Sequence, residues 1–513
     1  MRDHGVVAVE QRSSRVRAGV AGAVSVGAGL GAAEVITGLL SLSISPVIAV
    51  GEEVIRLTPG DLAEAAISAV GQLDKPLLVI GTVVGALGLG VLAGVLAARW
   101  MLAGVAVLAA MGVVGVFAAQ RAADSAMADS FPPVAGAVVS VLVLAYLARF
   151  SRPAVAGSTA DLSRRAFLRS AGVVAASAVV LAAAGQWLSR GRRAVEAARA
   201  SLALDVHRPS APPGVEAGVN GVESWATSND MFYRIDTALS VPHLVPEEWR
   251  LRVHGMVDRE LVLTYDDLLR RGLVDAWITL CCVSNEIGGS LISNAKWSGV
   301  RVADVLEEAG VSPDADAVLS TSADGWNCGT PLAALTDDRN ALLAVAMNGE
   351  PLPVEHGFPV RIVVPGLYGF VSATKWVVDI EVTRFADFAA YWTERGWSPT
   401  GPVKTQSRID APRNGADVGA GKVAVGGIAW AQHTGIDAVE VRVDDGEWQP
   451  ARLASVPNVD TWRQWAWEWD AGPGDHRLAV RATDSSGETQ TGEVAGVVPD
   501  GATGWHTISV TVS

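Results

Sequence analysis

The sequence predicts a multi-domain chain with an N-terminal α-helical membrane bundle, a central α+β domain and a C-terminal all-β sandwich. Half of the 513 residues are hydrophobic and the mean hydropathy is +0.30, which is unusual for a soluble globular protein. The long apolar runs all lie within residues 1–200, which carry 17 basic and 12 acidic residues, whereas the rest of the chain carries 23 and 42. The last hundred residues alternate apolar and polar side chains, as half-buried strands do.

Five apolar runs predict about five spanning helices, since a helix needs about 20 residues to cross the hydrocarbon core. The runs are Ala18–Leu40, Leu77–Ala98, Leu102–Ala119, Val134–Leu147 and Ala171–Leu188. Basic residues cluster before the first run and between the fourth and fifth, so the positive-inside rule places the N-terminus in the cytoplasm. Everything after the fifth helix is then extracytoplasmic, although Arg190, Arg192 and Arg193 lie on the wrong side of this scheme.

The segment Ser163–Arg169 precedes the fifth run and is similar to a twin-arginine export signal at an internal position. Such a signal exports a domain that has already folded, which suits a domain that receives its cofactor in the cytoplasm. The alternative is a plain basic stop before a helix. The small residues Ala182–Ala184 would permit cleavage of this segment.

Glu34 lies inside the first run, where a carboxylate is costly and therefore a candidate functional group. The alternative is a Glu that is hydrogen-bonded to a neighbouring helix. No histidine lies between His4 and His207, so the membrane part has no histidine pair for a haem. We therefore expect no haem in this chain, and no iron–sulfur motif is present.

Residues 191–225 predict a linker because they pass from Arg/Ala-rich to Pro/Gly-rich sequence. The α+β domain is predicted at 226–396, with strands near Leu251 and Leu261, helices at Tyr265–Arg271 and Val302–Ala309, and a strand at Val360–Val364. The acidic balance of this part excludes nucleic acid as an expected partner. With only three cysteines and no CxxC, a disulfide framework or a zinc site is excluded as well.

Cys281 and Cys282 are adjacent on a predicted strand, so their side chains point to opposite faces and only one can serve a given site. A single thiolate suits a soft metal whose other ligands come from a cofactor. The alternative is that both are buried structural cysteines, which is the commoner fate of a cysteine taken alone.

Four motifs, in order over about 150 residues, resemble the sulfite oxidase family of molybdopterin-dependent enzymes. They are Asn229–Thr237, Thr279–Asn285 followed by Ala295–Val300, His356–Arg361, and Pro365–Trp376. The resemblance implies a molybdenum–molybdopterin cofactor with Cys282 as the metal ligand. The implied catalytic residues are Cys282, Arg234 and Trp326, and the implied cofactor-binding residues are Tyr233, Arg234, Asn285, Thr321 or a neighbour in Ser320–Asp324, His356, Arg361, Ser372, Thr374 and Lys375.

Those residue types fit the implied group, because a pterin phosphate is dianionic and calls for fixed cations and backbone N–H donors. The alternative for the cations is a surface ion-pair network. Two positions depart from the family pattern: Ile287 replaces an arginine five residues after the cysteine ligand, and Trp326 replaces a tyrosine. Because these changes remove a charge and a phenol, we expect a neutral or bulkier substrate rather than sulfite, although Trp326 could equally serve packing.

The domain at 397–513 is predicted as a β-sandwich from the alternation in Val439–Val443, Leu478–Val480 and Ile508–Val512. Pro402–Asp410 resembles the start of the family's immunoglobulin-like dimerisation domain, so a homodimer is an expected assembly. The tryptophans between Trp462 and Trp469 are interpreted as core and interface packing rather than a binding platform.

Together these expectations describe a multi-pass cell-membrane enzyme whose extracytoplasmic domain transfers an oxygen atom in a two-electron reaction. Its expected partners are a small-molecule substrate and a separate electron carrier. Two alternatives stand beside it: an S-oxide reductase of the same family, and a cofactor-free, membrane-tethered binding protein. The joint presence of Cys282, Arg361 and Lys375 argues against the second alternative.

Overall fold

A computed structural model describes residues 3–40, 42, 45–58, 74–121, 127–151, 168–177, 179 and 190–513 of the chain. It divides into two compact units, one comprising residues 1–195 with 238–243, and the other residues 196–237 with 244–513. The helices are α1 (Asp3–Leu40), α2 (Pro46–Leu57), α3 (Asp74–Ala97), α4 (Met101–Arg121), α5 (Phe131–Ser151), α6 (Arg190–Ser201), α7 (Tyr265–Arg270), α8 (Val302–Ala309) and α9 (Ala333–Thr336).

Four helical stretches of the first unit are long and apolar enough to cross a membrane: Arg15–Leu40, Lys75–Ala97, Met101–Arg121 and Met127–Arg149. They correspond to the first four predicted runs. The fifth run lies partly outside the described residues, as do residues 163–167 of the export-signal candidate and Ala182–Ala184. Membrane topology and the nature of that segment stay predictions.

Glycines let α1 approach its neighbours in the bundle. A Cβ placed on Gly22 would lie 1.9 Å from the carbonyl oxygen of Gly90 in α3, and one on Gly29 would lie 2.0 Å from Ser140 Oγ in α5. Small residues at such crossings let helix backbones pack closely, which is a common way for apolar helices to associate. Glu34 is half-buried in α1 and hydrogen-bonded to Ser45, in line with the structural alternative for this carboxylate.

The second unit begins at Glu196 within α6, a helix that overlaps the predicted linker, and the chain then runs without regular structure to Arg250. Its central part holds two sheets, with strand orders β2-β1-β10-β5-β6 and β3-β4-β7-β8, the latter joined by β9 on β7. The strands are β1 (Arg250–Gly255), β2 (Leu261–Thr264), β3 (Val274–Cys281), β4 (Ile292–Arg301), β5 (Ala317–Ser322), β6 (Asn327–Pro331), β7 (Leu342–Met347), β8 (Glu350–Pro351), β9 (Arg361–Val363) and β10 (Val377–Thr383).

Both sheets and α8 contribute fully buried side chains to one hydrophobic core, including Val253, Ile380, Val345 and Leu306. The predicted strands and both predicted helices are confirmed to within one or two residues. Helix α7 begins at a capping box, in which Thr264 and Asp267 exchange hydrogen bonds that satisfy the first turn.

The C-terminal part consists of two facing sheets, with strand orders β11-β13-β17-β16 and β12-β19-β18-β14-β15. The strands are β11 (Gln406–Ala411), β12 (Ala416–Val418), β13 (Gly421–Trp430), β14 (Ile436–Val443), β15 (Gln449–Pro450), β16 (Arg452–Leu453), β17 (Arg463–Ala471), β18 (Gly474–Asp484) and β19 (His506–Val512).

Val425 and Val441, from opposite sheets, share one core with Trp465, which confirms the predicted two-sheet organisation. The interpretation of the tryptophans as packing residues is confirmed for Trp462 and Trp465, which are fully buried. The immunoglobulin-like class of this domain stays a prediction.

Candidate active site

Cys282 is the first residue after β3 and is held at the mouth of a tight loop. Its N–H donates to the carbonyl of Leu291 at 2.9 Å, and its own carbonyl accepts the N–H of Asn285 at 3.1 Å. Cys281, the last residue of β3, belongs to the hydrophobic core of the central part, to which Cys282 does not contribute. The two thiols therefore differ in surroundings, but Cys282 lies one residue beyond β3, so the expectation that both cysteines belong to one strand is wrong for Cys282.

Tyr233 brings the segment 229–237 next to Cys282. Its backbone N–H donates to Ser293 Oγ at 3.2 Å, and its ring stacks on Phe232 with centroids 5.3 Å apart. Burial raises the pKa of the Tyr233 phenol well above its usual range, and the neighbouring thiol of Cys282 adds to this rise. The phenol is therefore protonated at every physiological pH and can donate a hydrogen bond.

Three cations converge beside Tyr233 and form, with one carboxylate, what we call the cation cluster: Arg234, Asp236, Arg361 and Lys375. Lys375 Nζ lies 2.7 Å from Asp236 Oδ2 and donates to the carbonyl of Glu355 at 3.2 Å. Arg234 Nε donates to the same Asp236 oxygen at 2.8 Å. Burial lowers the pKa of Lys375 to about 8, although Asp236 opposes this change.

Arg361 differs from the other two cations because it is buried without an acidic partner. Its guanidinium donates only to backbone carbonyls, the best of them that of His356 at 3.1 Å, and it stacks 5.0 Å from the ring centroid of Trp297. Among the residues that the structure describes, no carboxylate lies within 4.0 Å of it. Burial accordingly lowers the pKa of Arg361 to about 10.

His356 lies beside Arg361 and Lys375 and is uncharged. Burial lowers the pKa of its imidazole to about 3, with further lowering by Arg361 and Lys375. Its Nε2 lies 3.2 Å from the carbonyl oxygen of Asn229, so that nitrogen carries the proton. With His356 neutral, the cation cluster carries three positive charges and one negative charge.

Two of the cations, Arg361 and Lys375, are buried beside one buried carboxylate, whereas Arg234 is exposed. This excess of buried positive charge is costly unless an anion compensates it. A dianionic phosphate supplies that compensation, and the guanidinium of Arg361, whose charge no described carboxylate offsets, carries the planar donors that phosphate oxygens accept. The adjacent thiol of Cys282 provides one soft ligand for a metal. The residues present therefore fit a phosphate-bearing, metal-carrying group.

Two predicted cofactor residues have their side chains engaged by their own loops. Asn285 Oδ1 accepts the N–H of Leu291 at 2.8 Å, which braces the loop after Cys282. Ser372 Oγ donates to the carbonyl of Tyr368 at 2.9 Å. A contact of either residue with a cofactor stays a prediction.

Thr374 lies next to the cation cluster in sequence, but its hydroxyl points into a buried polar group. It hydrogen-bonds to Ser320 Oγ at 2.7 Å and lies 3.2 Å from Cys328 Sγ. Thr321 is half-buried and its side chain points to the other face of β5 from Ser320. The structure thus places Ser320, rather than Thr321, against the loop that carries Lys375.

Trp326 lies in the turn between β5 and β6, half-buried, with its N–H bonded to Asp324 Oδ1 at 3.2 Å. In the part of the chain that the structure describes, it makes no ring or cation contact with the cation cluster. Its catalytic role stays a prediction. Ile287, the other departure from the family pattern, packs against Gly504, because a Cβ on that glycine would lie 2.6 Å from Ile287 Cδ1.

Sequence reasoning did not single out Asp236 or Cys328 as site residues, and it included Ser320 only as a neighbour of Thr321. A carboxylate two positions after Arg234 in an extended segment was the only available signal for Asp236. The contacts of Ser320 and Cys328 with Thr374 span 54 and 46 residues and had no local signature.

Comparisons with known proteins bear on the family of the central part of the chain. Residues 238–392 match the family model described as the oxidoreductase molybdopterin binding domain. Sulfite oxidase of Gallus gallus is 31% identical over 343 residues, which cover 55% of this chain and 72% of that protein. Mitochondrial sulfite oxidase of Homo sapiens is 32% identical over 347 residues, which cover 57% of this chain and 62% of that protein. The sulfane dehydrogenase SoxCD of Paracoccus pantotrophus is similar in structure at 26% identity, with a TM-score of 0.47, over 52% of this chain and 75% of that chain.

The α+β fold, the single thiol and the buried cations define a protein of the molybdopterin-binding class. More particularly, the chain belongs to the sulfite oxidase family of molybdenum-dependent oxidoreductases. It spans about three-fifths of the length of the mammalian sulfite oxidases that it matches.

Proposed function

We propose that this protein is a molybdenum-cofactor-dependent oxidoreductase that transfers an oxygen atom to or from a small molecule outside the cytoplasm. The observation that carries the proposal is the buried guanidinium of Arg361, which has no acidic partner among the described residues and lies in a cluster of net positive charge near Cys282. A cofactor-free binding protein would have no reason to maintain that cost.

The chain's own residues would bind and orient the group. Arg361 and Lys375 would neutralise the phosphate, while the Cys282 thiolate would serve as a ligand of the metal. Tyr233 would offer an uncharged hydrogen-bond donor, whereas neutral His356, whose Nε2–H is bonded to the carbonyl of Asn229, would offer Nδ1 as an acceptor. When bound, a molybdenum–pterin group supplies two-electron oxygen-atom transfer, and the protein supplies binding, orientation and electrostatics.

The substrate would differ from sulfite. Ile287 cannot donate to an anion, and its side chain is occupied by packing against Gly504. Trp326 offers an indole in place of a phenol. We infer a neutral or bulkier small molecule, with electrons passing between the site and a separate carrier.

The location would follow from the four apolar helices of the first unit, which would anchor the protein in the cell membrane as a multi-pass protein. The segment from 163 onward would be the export signal. A homodimer formed through the C-terminal sandwich is part of the same proposal.

The test is to purify the full chain in detergent, measure molybdenum and pterin per protein, and screen substrates with an artificial electron acceptor or donor. We expect stoichiometric molybdenum and turnover of a neutral substrate in preference to sulfite. Protein that is folded yet free of molybdenum and pterin, after expression with cofactor synthesis active, would refute the proposal. A reporter fused after Ser513 that is active only in the cytoplasm would refute the location.

A further inference from the structure

The loop between β3 and β4, residues 282–291, carries Cys282 and is here called the cysteine loop. Its internal bonds are few: Asn285 N–H to Cys282, Gly289 N–H to Glu286 at 2.9 Å, the bonds of Cys282 and Asn285 with Leu291, and the bonds of Ser284 with the Cys282 thiol. A loop of this length with so few bonds depends on its neighbours for a fixed conformation.

The side chain of Arg408, in β11 of the C-terminal sandwich, hydrogen-bonds to the backbone of the cysteine loop. Its Nη1 donates to the carbonyl of Gly289 at 2.7 Å, across 119 residues of sequence. The other two arms of the guanidinium are held by Asp410 at 2.6 Å and Glu223 at 2.5 Å. The side chain is buried, so the geometry of all three contacts is fixed.

His506, at the start of β19, packs against Gly288, the residue of the cysteine loop next to Gly289. A Cβ placed on Gly288 would lie 2.3 Å from His506 Cδ2, so only glycine fits there. The imidazole is itself fixed, because its Nδ1 accepts the N–H of Ile409 at 3.0 Å. The loop and the sandwich are therefore in direct contact over Gly288 and Gly289.

The strand that leads into the loop is held by the same domain. Thr279 N–H donates to the carbonyl of Asp460 at 3.0 Å, and Thr279 Oγ1 accepts the N–H of Trp462 at 2.8 Å. Gln432 Nε2 donates to the carbonyl of Thr279 at 3.3 Å. The free edge of β3 is thus paired by residues of the C-terminal part, three positions before Cys282.

We propose that the C-terminal sandwich positions the Cys282 thiol and that Arg408 is the positioning residue. It acts through the Gly289 carbonyl, while the contacts at Thr279 fix the other end of the segment. The role does not require a second copy of the chain. The inference rests on the proposed function, since it assigns Arg408 to the presentation of a metal-binding thiol.

Arg408→Lys is the first test, because lysine keeps the charge that Asp410 and Glu223 require but lacks the third arm that reaches Gly289. We expect hydrogen exchange of the Asn285, Gly289 and Leu291 amides to quicken about ten- to a hundredfold, with exchange in β13 and β17 unchanged. The matched control is Arg463→Lys. The guanidinium of Arg463 donates to the carbonyls of Ala454 and Ile436, both within the sandwich.

A second test leaves Arg408 intact. Gly288→Ala pushes the loop against His506, whereas Gly272→Ala imposes the same kind of strain at positive φ with nothing within 4 Å. We expect Gly288→Ala, and not Gly272→Ala, to quicken exchange in the loop and to change the electron paramagnetic resonance signal of the reduced, metal-loaded protein.

These outcomes separate the two proposals. Suppose that the wild type contains molybdenum, and that Arg408→Lys and Gly288→Ala both keep the wild-type rates of hydrogen exchange and the wild-type resonance signal. That result would overturn the role of Arg408 and leave the proposed function intact. Wild type without molybdenum would overturn both. Faster exchange with an altered signal in Arg408→Lys and Gly288→Ala alone would support the inference.

Discussion

Asp236 and Lys375 form a buried ion pair, with Oδ2 and Nζ 2.7 Å apart, and the same oxygen accepts from Arg234 at 2.8 Å. One carboxylate thus holds two of the three cations of the cluster, whereas the hydrogen bonds of Arg361 to the described residues all go to backbone carbonyls. Arg361 is therefore the cation whose charge is least compensated within the cluster.

Asp236→Asn should destabilise the protein, because Lys375 would remain buried without its counter-ion. We expect a loss of about 3 kcal/mol in the free energy of unfolding at pH 7, measured by urea denaturation of cofactor-free protein. The exposed pair of Asp314 with Arg384 provides the control, and Asp314→Asn should change the free energy by less than about 0.5 kcal/mol. Equal losses in the two variants would contradict the assignment.

Arg361→Met should impair cofactor binding while leaving the stability of the protein nearly unchanged. Because this guanidinium has no acidic partner, replacing it with an apolar side chain should change the free energy of unfolding by no more than about 1 kcal/mol. Molybdenum and pterin content should nevertheless fall by more than about tenfold. Arg463→Met, which also removes an arginine bonded to carbonyls, should retain the cofactor. Retention in Arg361→Met would show that the phosphate binds elsewhere.

His356 predicts an acid-sensitive step in stability. Its folded-state pKa of about 3 lies below the ordinary value of 6.5, so the unfolded chain binds the proton first and stability falls as pH drops from about 6.5 towards 3. Between pH 7 and pH 4 this group alone should cost about 3 kcal/mol in cofactor-free protein. The groups that face it are Arg361, Lys375, Arg234 and the carbonyl of Asn229.

His356→Asn removes this titration, so the variant should lose correspondingly less stability over the same pH range in urea denaturation. An identical pH dependence in the variant and the wild type would contradict the low pKa. Protection of wild type against acid by bound cofactor is expected as well, because a phosphate would counter the repulsion from Arg361 and Lys375.

Much of the fold followed from local pattern. Alternation placed Val441, Val480 and Ile508 inside the sandwich, and helical spacing located Val302–Ala309 to the residue. These features depend on side-chain period and burial, which a sequence displays directly. Helix α2 was not predicted, because its 12 residues, with Glu52, Glu53 and Arg56, are too short and too charged to resemble a span.

The candidate site was predictable in its residue types but not in its pairings. The motifs indicated Cys282, Arg361 and Lys375, yet nothing local distinguishes a cation paired with Asp236 from one that is unpaired. The contact of Arg408 with Gly289 joins residues that are 119 positions apart, so only the packed structure reveals it. Such partners are fixed by tertiary contacts, which have no period in the sequence.

The central claim, that Cys282 is the protein ligand of the metal, is tested most directly by molybdenum X-ray absorption on the wild type and the two adjacent serine variants. We expect Cys282→Ser to lower the number of sulfur ligands at molybdenum by one and to abolish turnover. Cys281→Ser, which changes a core thiol, should leave the sulfur count unchanged. The same sulfur count in Cys282→Ser as in wild type, or its loss in Cys281→Ser instead, would contradict the account.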